Sequence, residues 1–424
     1  MKDNSKKRKL NRFAKKYLTA DAIKLILMIC ILVFVLYRKS RYHDFAWTDV
    51  LDFTIVVSFL LVFIADALAK FIWTLVGRKT EDGVKLRMDS EYLVKKYSVD
   101  KPNMVRVKQN VEMDKVVIYP EIVLAKRKLD SAPFTFGILY DESRNYTLPG
   151  QVAKHSKEIF DAHRFSTIYN NRNIRLSDFE YDDKTNHVKL VYSFTTYFDS
   201  LMTNRAMDFP FDGDRSIREI YEPGPMISSL KDSRLSNHLG FNGFVELADG
   251  KIVFILRGNT VSIGKGTWSQ SVGASLKAAY ALNEKHEFTL HGLSEAIRGE
   301  IKDELKIEVD EDDLTSTIFA FYRELVEGGK PQFLFYYRTY RYDSKSFEAH
   351  FREVMRDKEV KKENKKKQVV DGTKFMYLSW DDLRSATFET DALVLANGTR
   401  LNMVPSSLAS VAMLVEFFDN KLKD

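Results

Sequence analysis

The chain has 424 residues, 45% of them hydrophobic, which is material for two or three cored domains and excludes a wholly disordered chain. Its single cysteine, Cys30, excludes a disulfide framework and leaves the rest of the chain without a thiol for nucleophilic catalysis or zinc binding. Much of the net charge of +6 comes from KKRKLNRFAKK (Lys6 to Lys16) and KKENKKK (Lys361 to Lys367). Neither run carries the interleaved aromatics of a nucleic-acid platform, so solvent or lipid headgroups are the expected contacts and a nucleic-acid polymer is not.

In chain order, the first apolar stretch is ADAIKLILMICILVFVLY, residues 20–37, followed by RKSR. A second, DVLDFTIVVSFLLVFIADALAKFIWTLV, spans 49–76, with Trp47 and Trp73 placed like interface anchors. The lengths and the short connection predict a transmembrane helical hairpin within residues 1–79. No small-residue cleavage site follows the first span, which disfavours a signal peptide. The basic flanks place both termini in the cytoplasm, with the protein in a membrane. Asp66 and Lys70 are four apart and share a face, with Asp52 on nearly the same stripe. They read either as an internal ion pair with ends at the interface or as a polar stripe lining an assembly.

Residues 80–236 read as a β-rich connector. MVRVKQNVEMDKVVIYPEIVLAKRKL and NHVKLVYSFTTYF alternate like strands, YDDKTN is a turn, and QVAKHSKEIFDAH is a helix. His155, His163 and His187 lack metal-ligand spacing and read as surface or structural residues.

The pattern is more regular over 237–424. GFNGFVELADGKIVFILRG is a hairpin turning at Asp249-Gly250. The loop SIGKGTWSQSVGASL leads to a helix from about Leu290 to Lys306, then to the strands TIFAFYREL and QFLFYYRTY around the turn EGGK. A helix (SFEAHFREVMRD), the charged insert, a strand (KFMYLSW), a short helix (DDLRSA) and an amphipathic helix (SSLASVAMLVEFFDNKL) complete the chain. That order predicts a mixed sheet between helices.

The helix AIRGEIKDELKI sets Glu300, Asp303 and Glu304 in a fan of carboxylates beside the stripe Leu293, Ile297 and Ile301. Half-sheltered oxygens of this kind suit Mg²⁺, although an ordinary amphipathic helix with acidic flanks has the same pattern. Arg257, Lys265, Trp268, Arg298 and Arg323 form a possible set for an anionic, base-bearing ligand, guanidiniums taking phosphate and indole a base face. The other reading has Trp268 closing the core and the cations solvated.

Hairpin, glycine-bearing loop and acidic helix in this order resemble the Nudix family, whose box runs G-x5-E-x7-R-E-U-x-E-E-x-G-U. EIKDEL aligns with its acidic portion, Glu300 at the first Glu, Ile301 at U, Asp303 and Glu304 at the acidic pair. In the family these positions hold the metals that bridge a diphosphate. The chain departs from the box: Gly299 stands at the Arg, Lys306 at the Gly and Ala279 at the early Glu, and AAYALNEKHEFT reads as an insertion. Loss of groups that orient metal-binding carboxylates costs activity more than fold.

The whole order, two-span hairpin, β-rich connector and Nudix-like α/β/α domain with a mixed sheet, is similar to the two-transmembrane Nudix effectors of bacterial cyclic-oligonucleotide-based antiphage signalling systems (CBASS). The resemblance implies a domain that senses a cyclic nucleotide, assembles as a homo-oligomer and disrupts the inner membrane's lipid bilayer. The eroded box implies binding in place of hydrolysis. The alternative is a membrane-tethered Mg²⁺-dependent hydrolase of nucleoside diphosphate derivatives, with Glu295 or His291 as base.

Overall fold

The computed structural model describes residues 37, 86–109, 115–128, 130–163, 170–212, 215–258, 261, 263–357 and 372–418. Apart from Tyr37, the apolar segments 20–37 and 49–76 lie outside them. Among the described residues no helix is long and apolar enough to cross a membrane. The longest described helix, Leu290–Leu305, has 16 residues, short of the roughly 20 that a bilayer core requires. The highly apolar Pro405–Phe418 has 14, and they are used in the core. The expected two-span architecture and inner-membrane location are therefore corrected: the described fold is a mixed α/β protein with several sheets.

Asp82–Asp424 forms one unit built on a nine-stranded sheet. Its strands are β1 (Met104–Gln109), β2 (Lys115–Lys126) and, after three strands of a second sheet, β3 (Thr135–Tyr140), β4 (Arg172–Asp182) and β5 (His187–Thr196), and a small ribbon, β6 (Pro210–Asp212) and β7 (Arg215–Ser216), the run β8 (Gly240–Glu246), β9 (Lys251–Leu256), β10 (Trp268–Ser269), β11 (Val272–Ser275), β12 (Ile318–Glu324), β13 (Lys330–Arg338) and β14 (Lys374–Ser379). The order is β1-β2-β12-β13-β8-β9-β10, with β11 on β8 and β14 on β9. β13 and β8 are parallel, so the sheet is mixed. Strands from both sides of position 237 share it, since β2 pairs with β12.

The central strands are near-continuous apolar runs because both faces are covered. Phe241, Val245, Val253 and Ile255 point to one side, where Leu293, Ile297, Ile301 and Leu305 of the helix Leu290–Leu305 pack, together with the β3-β5-β4 sheet. Phe244, Ile252 and Phe254 point to the other, against the helix Pro405–Phe418. Thr289 caps Leu290–Leu305 by accepting from the Gly292 N–H at 3.0 Å, and Lys306, left-handed at φ 61°, ends it. Gly292 is required by contact: a Cβ there would lie 2.1 Å from the Ala281 carbonyl oxygen.

The turn between β12 and β13, Leu325 to Gly329, is buried throughout, unlike most connections. Its carbonyls are consequently claimed by side chains. Arg218 donates to Leu325 and Val326 at 2.7 Å each, Asn204 to Glu327 at 2.8 Å and Arg323 to Gly329 at 2.8 Å. Arg218 also grips Asp208 at 2.6 and 2.9 Å, so the turn is keyed into the region before residue 237.

Candidate functional site

The acidic helix places Glu300 and Glu304 at the margin of its packed face, each 5% exposed, with Asp303 half-buried. Lys277, two residues beyond β11, reaches across and forms a hydrogen-bonded ion pair with Glu300. Burial alone would lower the Lys277 ammonium, but the charge and hydrogen bond of Glu300 more than offset it and hold it above the ordinary lysine value. Its Nζ also lies 5.5 Å from the Tyr280 ring. That ring stands 3.9 Å from where a Cβ on Gly299 would be, covering the helix at the position of the family arginine.

Lys277 thus engages Glu300, one of the three carboxylates that a magnesium site on this helix would use. Among the described residues no group of three or more His, Cys, Asp or Glu is arranged to hold a metal ion. Glu295 is engaged by Arg298 at 2.9 Å, and His291 is exposed.

The five cations and aromatics separate into two groups. Arg298 is a staple: it donates to the carbonyls of Val309 at 2.7 Å and Glu311 at 2.5 Å, fastening the chain that follows its helix. Arg323 holds the buried turn and the Ser228 carbonyl, at 2.7 Å. Burial brings its guanidinium down to about 10, against the opposing pull of Glu222, and leaves it charged at neutral pH. Arg257, Lys265 and Trp268 share the β9–β10 connection, where Gly266 donates to the Arg257 carbonyl at 3.0 Å. Trp268 packs against the core on the Pro405–Phe418 side, opposite the acidic helix. It is therefore not a companion of Glu300 in one cleft.

What assembles around Arg257 is a set of amides. Gly273 in β11 pairs with Asn242 in β8, and a Cβ on Gly273 would lie 3.0 Å from Asn242 Oδ1, 3.5 Å from Gln270 Nε2 and 3.8 Å from Arg257 Nη1. Gln270 Nε2 donates to Asn242 Oδ1 at 2.5 Å, and Asn242 Nδ2 donates to the Tyr322 hydroxyl at 2.7 Å. Gln270 Oε1 is buried with no hydrogen-bond partner. Guanidinium, amide donor and unpartnered amide acceptor beside a residue with no side chain are the elements that recognise a phosphate-bearing base. Sequence reasoning marks Gly273 as the box-like glycine and misses Asn242 and Gln270, although a polar residue inside the apolar run GFNGFVE is the signal that marks Asn242.

The three histidines have local partners. His163 Nε2 lies 2.7 Å from the Leu201 carbonyl, His155 Nδ1 3.2 Å from Glu158 and His187 Nδ1 2.9 Å from the Thr135 hydroxyl. An open groove of about 550 Å³ is lined by Asp310, Glu311, Asp312, Asp313, Tyr340 and Arg341 among others, and its acidic wall would repel phosphate. No protein-family model and no curated protein matches this sequence.

Proposed function

We propose that the sheet domain binds a nucleotide through Arg257, Gln270 and Asn242 and does not hydrolyse it. The ligand class follows from the resemblance to antiphage signalling effectors: a cyclic oligonucleotide, whose binding favours self-association of the chain. One observation carries the reading: Lys277 supplies the positive charge on Glu300, so one of the three box carboxylates is engaged in an ion pair. The amide set beside Arg257 supports a recognition role on the other side of the sheet, since an unpartnered buried amide oxygen is an unused acceptor.

The test is calorimetry of the full chain with a panel of cyclic di- and trinucleotides, with a sizing column run on each mixture. At least one ligand should bind and shift the chain to a larger species. Arg257→Ala should weaken that binding by about tenfold to a hundredfold, the range for a charge-assisted hydrogen bond. Absence of binding across the panel would reject the reading. Turnover of nucleoside diphosphate derivatives that needs Mg²⁺ and disappears in Glu304→Gln would replace it with the hydrolase.

A further inference from the structure

Glu121 in β2 and Glu324 in β12 are direct cross-strand partners, and both are buried, at 0% and 3% exposure. Like charges directly opposite on a sheet repel, and two carboxylates this deep cannot both stay ionised without a countercharge. Glu324 has hydrogen bonds: Gln332 Nε2 donates to it at 2.6 Å, and the Ser406 hydroxyl, at the start of the helix Pro405–Phe418, also donates. Glu121 has none, and both of its oxygens are enclosed without a partner. Lys330 is the cross-strand partner of Glu324 on β13; its ammonium pairs with Glu327 at 3.2 Å, and its charge also favours the ionised form of Glu324, while Glu121 has no such cation among the described residues. Tyr119 and Tyr322 face the pair from the same two strands; burial first, then Glu121, Glu389 and Asp391 for Tyr119 and Glu324 and Glu121 for Tyr322, pushes both hydroxyls up, so neither supplies a charge. Arg205 lies 3.6 Å from Glu327, and Arg218 with Asp208 and Arg323 with Glu222 are the further charged groups around the turn.

We propose that Glu121 and Glu324 hold one proton between them at neutral pH, and that this proton is the latch that keeps the buried turn Leu325 to Gly329 seated. A protonated Glu121 has one O–H to donate, which gives its side chain a bond to the ionised Glu324 and leaves one negative charge where there would be two. Glu324 is the last residue of β12, immediately before the turn, and the Gly329 N–H donates to its carbonyl at 2.8 Å. Loss of the proton to solvent hydroxide puts two anions in contact at the root of the turn, and the strand end must then part from β2. Burial raises both carboxyls above the ordinary glutamate range, with the charge of Glu324 adding to the rise at Glu121 and that of Glu327 to the rise at Glu324. The sign follows: the folded state binds more protons than the unfolded chain, so stability falls as pH rises from the ordinary glutamate range through the raised values.

Two measurements on the full chain test the latch. In deuterated buffer at neutral pH, infrared difference spectroscopy should find a protonated-carboxyl C=O band that persists in Glu222→Gln, which removes the other buried glutamate raised by its surroundings. The band should vanish in Glu121→Gln. Thermal unfolding from about pH 6 to about pH 9.5 should show a falling midpoint in the wild type and a markedly shallower fall in Glu121→Gln, the charge that burial disfavours being gone. No acid band in the wild type, which needs no variant to fold, overturns the proposal, as does an equal pH slope in Glu121→Gln. A rise of the wild-type midpoint on adding Ca²⁺ or Mg²⁺ that Glu121→Gln lacks also overturns it, since the pair would then hold a cation and not a proton.

Discussion

Glu300 and Glu121 are both buried carboxylates on opposite sides of one sheet, and their charges are handled in opposite ways. Glu300 has an ammonium, Lys277, brought from 23 positions earlier in the chain. Glu121 faces another carboxylate, 203 positions away, with no hydrogen bond of its own. A buried acid therefore reveals little until its partner is known, and the partner decides whether the group suits metal binding, packing or titration.

The comparison can be broken most forcefully at the buried turn that follows Glu324. Arg218→Ala removes the donors to Leu325 and Val326 and leaves Asp208 with the Arg87 N–H and no countercharge from Arg218, and should cost about 3–5 kcal/mol in chemical denaturation, the cost of breaking a buried ion pair. A loss under about 1 kcal/mol would mean the turn does not depend on its clasp. Lys277→Ala comes next. It leaves Glu300 unpaired, and because the lysine side chain is 32% exposed the loss should be roughly 2 kcal/mol, between the surface and buried ranges. The same pair predicts a pH response of definite sign. With the folded ammonium held above the ordinary lysine value, its stabilisation is complete at neutral pH and is lost only as pH climbs through that raised value. A denaturant midpoint insensitive to Lys277→Ala at neutral pH would show the ammonium to be a bystander. The smallest expected change is at the cap of the acidic helix: Thr289→Ala should cost about 1 kcal/mol, read from the thermal midpoint.

Much of the element order was legible. The turn at Asp249-Gly250, the alternation in NHVKLVYSFTTYF and the stripe Leu293, Ile297 and Ile301 report the local backbone, which sequence pattern encodes directly. The pairing of β2 with β12 is not local, and nothing in YPEIVLAK announces that its glutamate will meet that of FYRE. The site was legible in part for the same reason. Arg257, Lys265 and Trp268 fall on one hairpin because they are close in sequence, whereas Arg298 and Arg323 were drawn into structural roles by carbonyls that only the tertiary fold exposes to them. The segment AAYALNEKHEFT is the instructive case: it starts just after Lys277 and includes Tyr280, so the change in spacing marks the place from which the acidic helix is covered, without saying by what. The apolar segments at 20–37 and 49–76 lie outside the described residues, and an apolar helix that is described, Pro405–Phe418, finds its partner in the sheet.

The most direct test of the central claim is to measure nucleotide binding and turnover together, on the full chain, with Mg²⁺ present and again after chelation. A cyclic oligonucleotide that binds equally well in both, with no product formed in either, is the predicted result. Binding or turnover that appears only with Mg²⁺ would contradict the account, because it would require Glu300 to give up Lys277 for a metal.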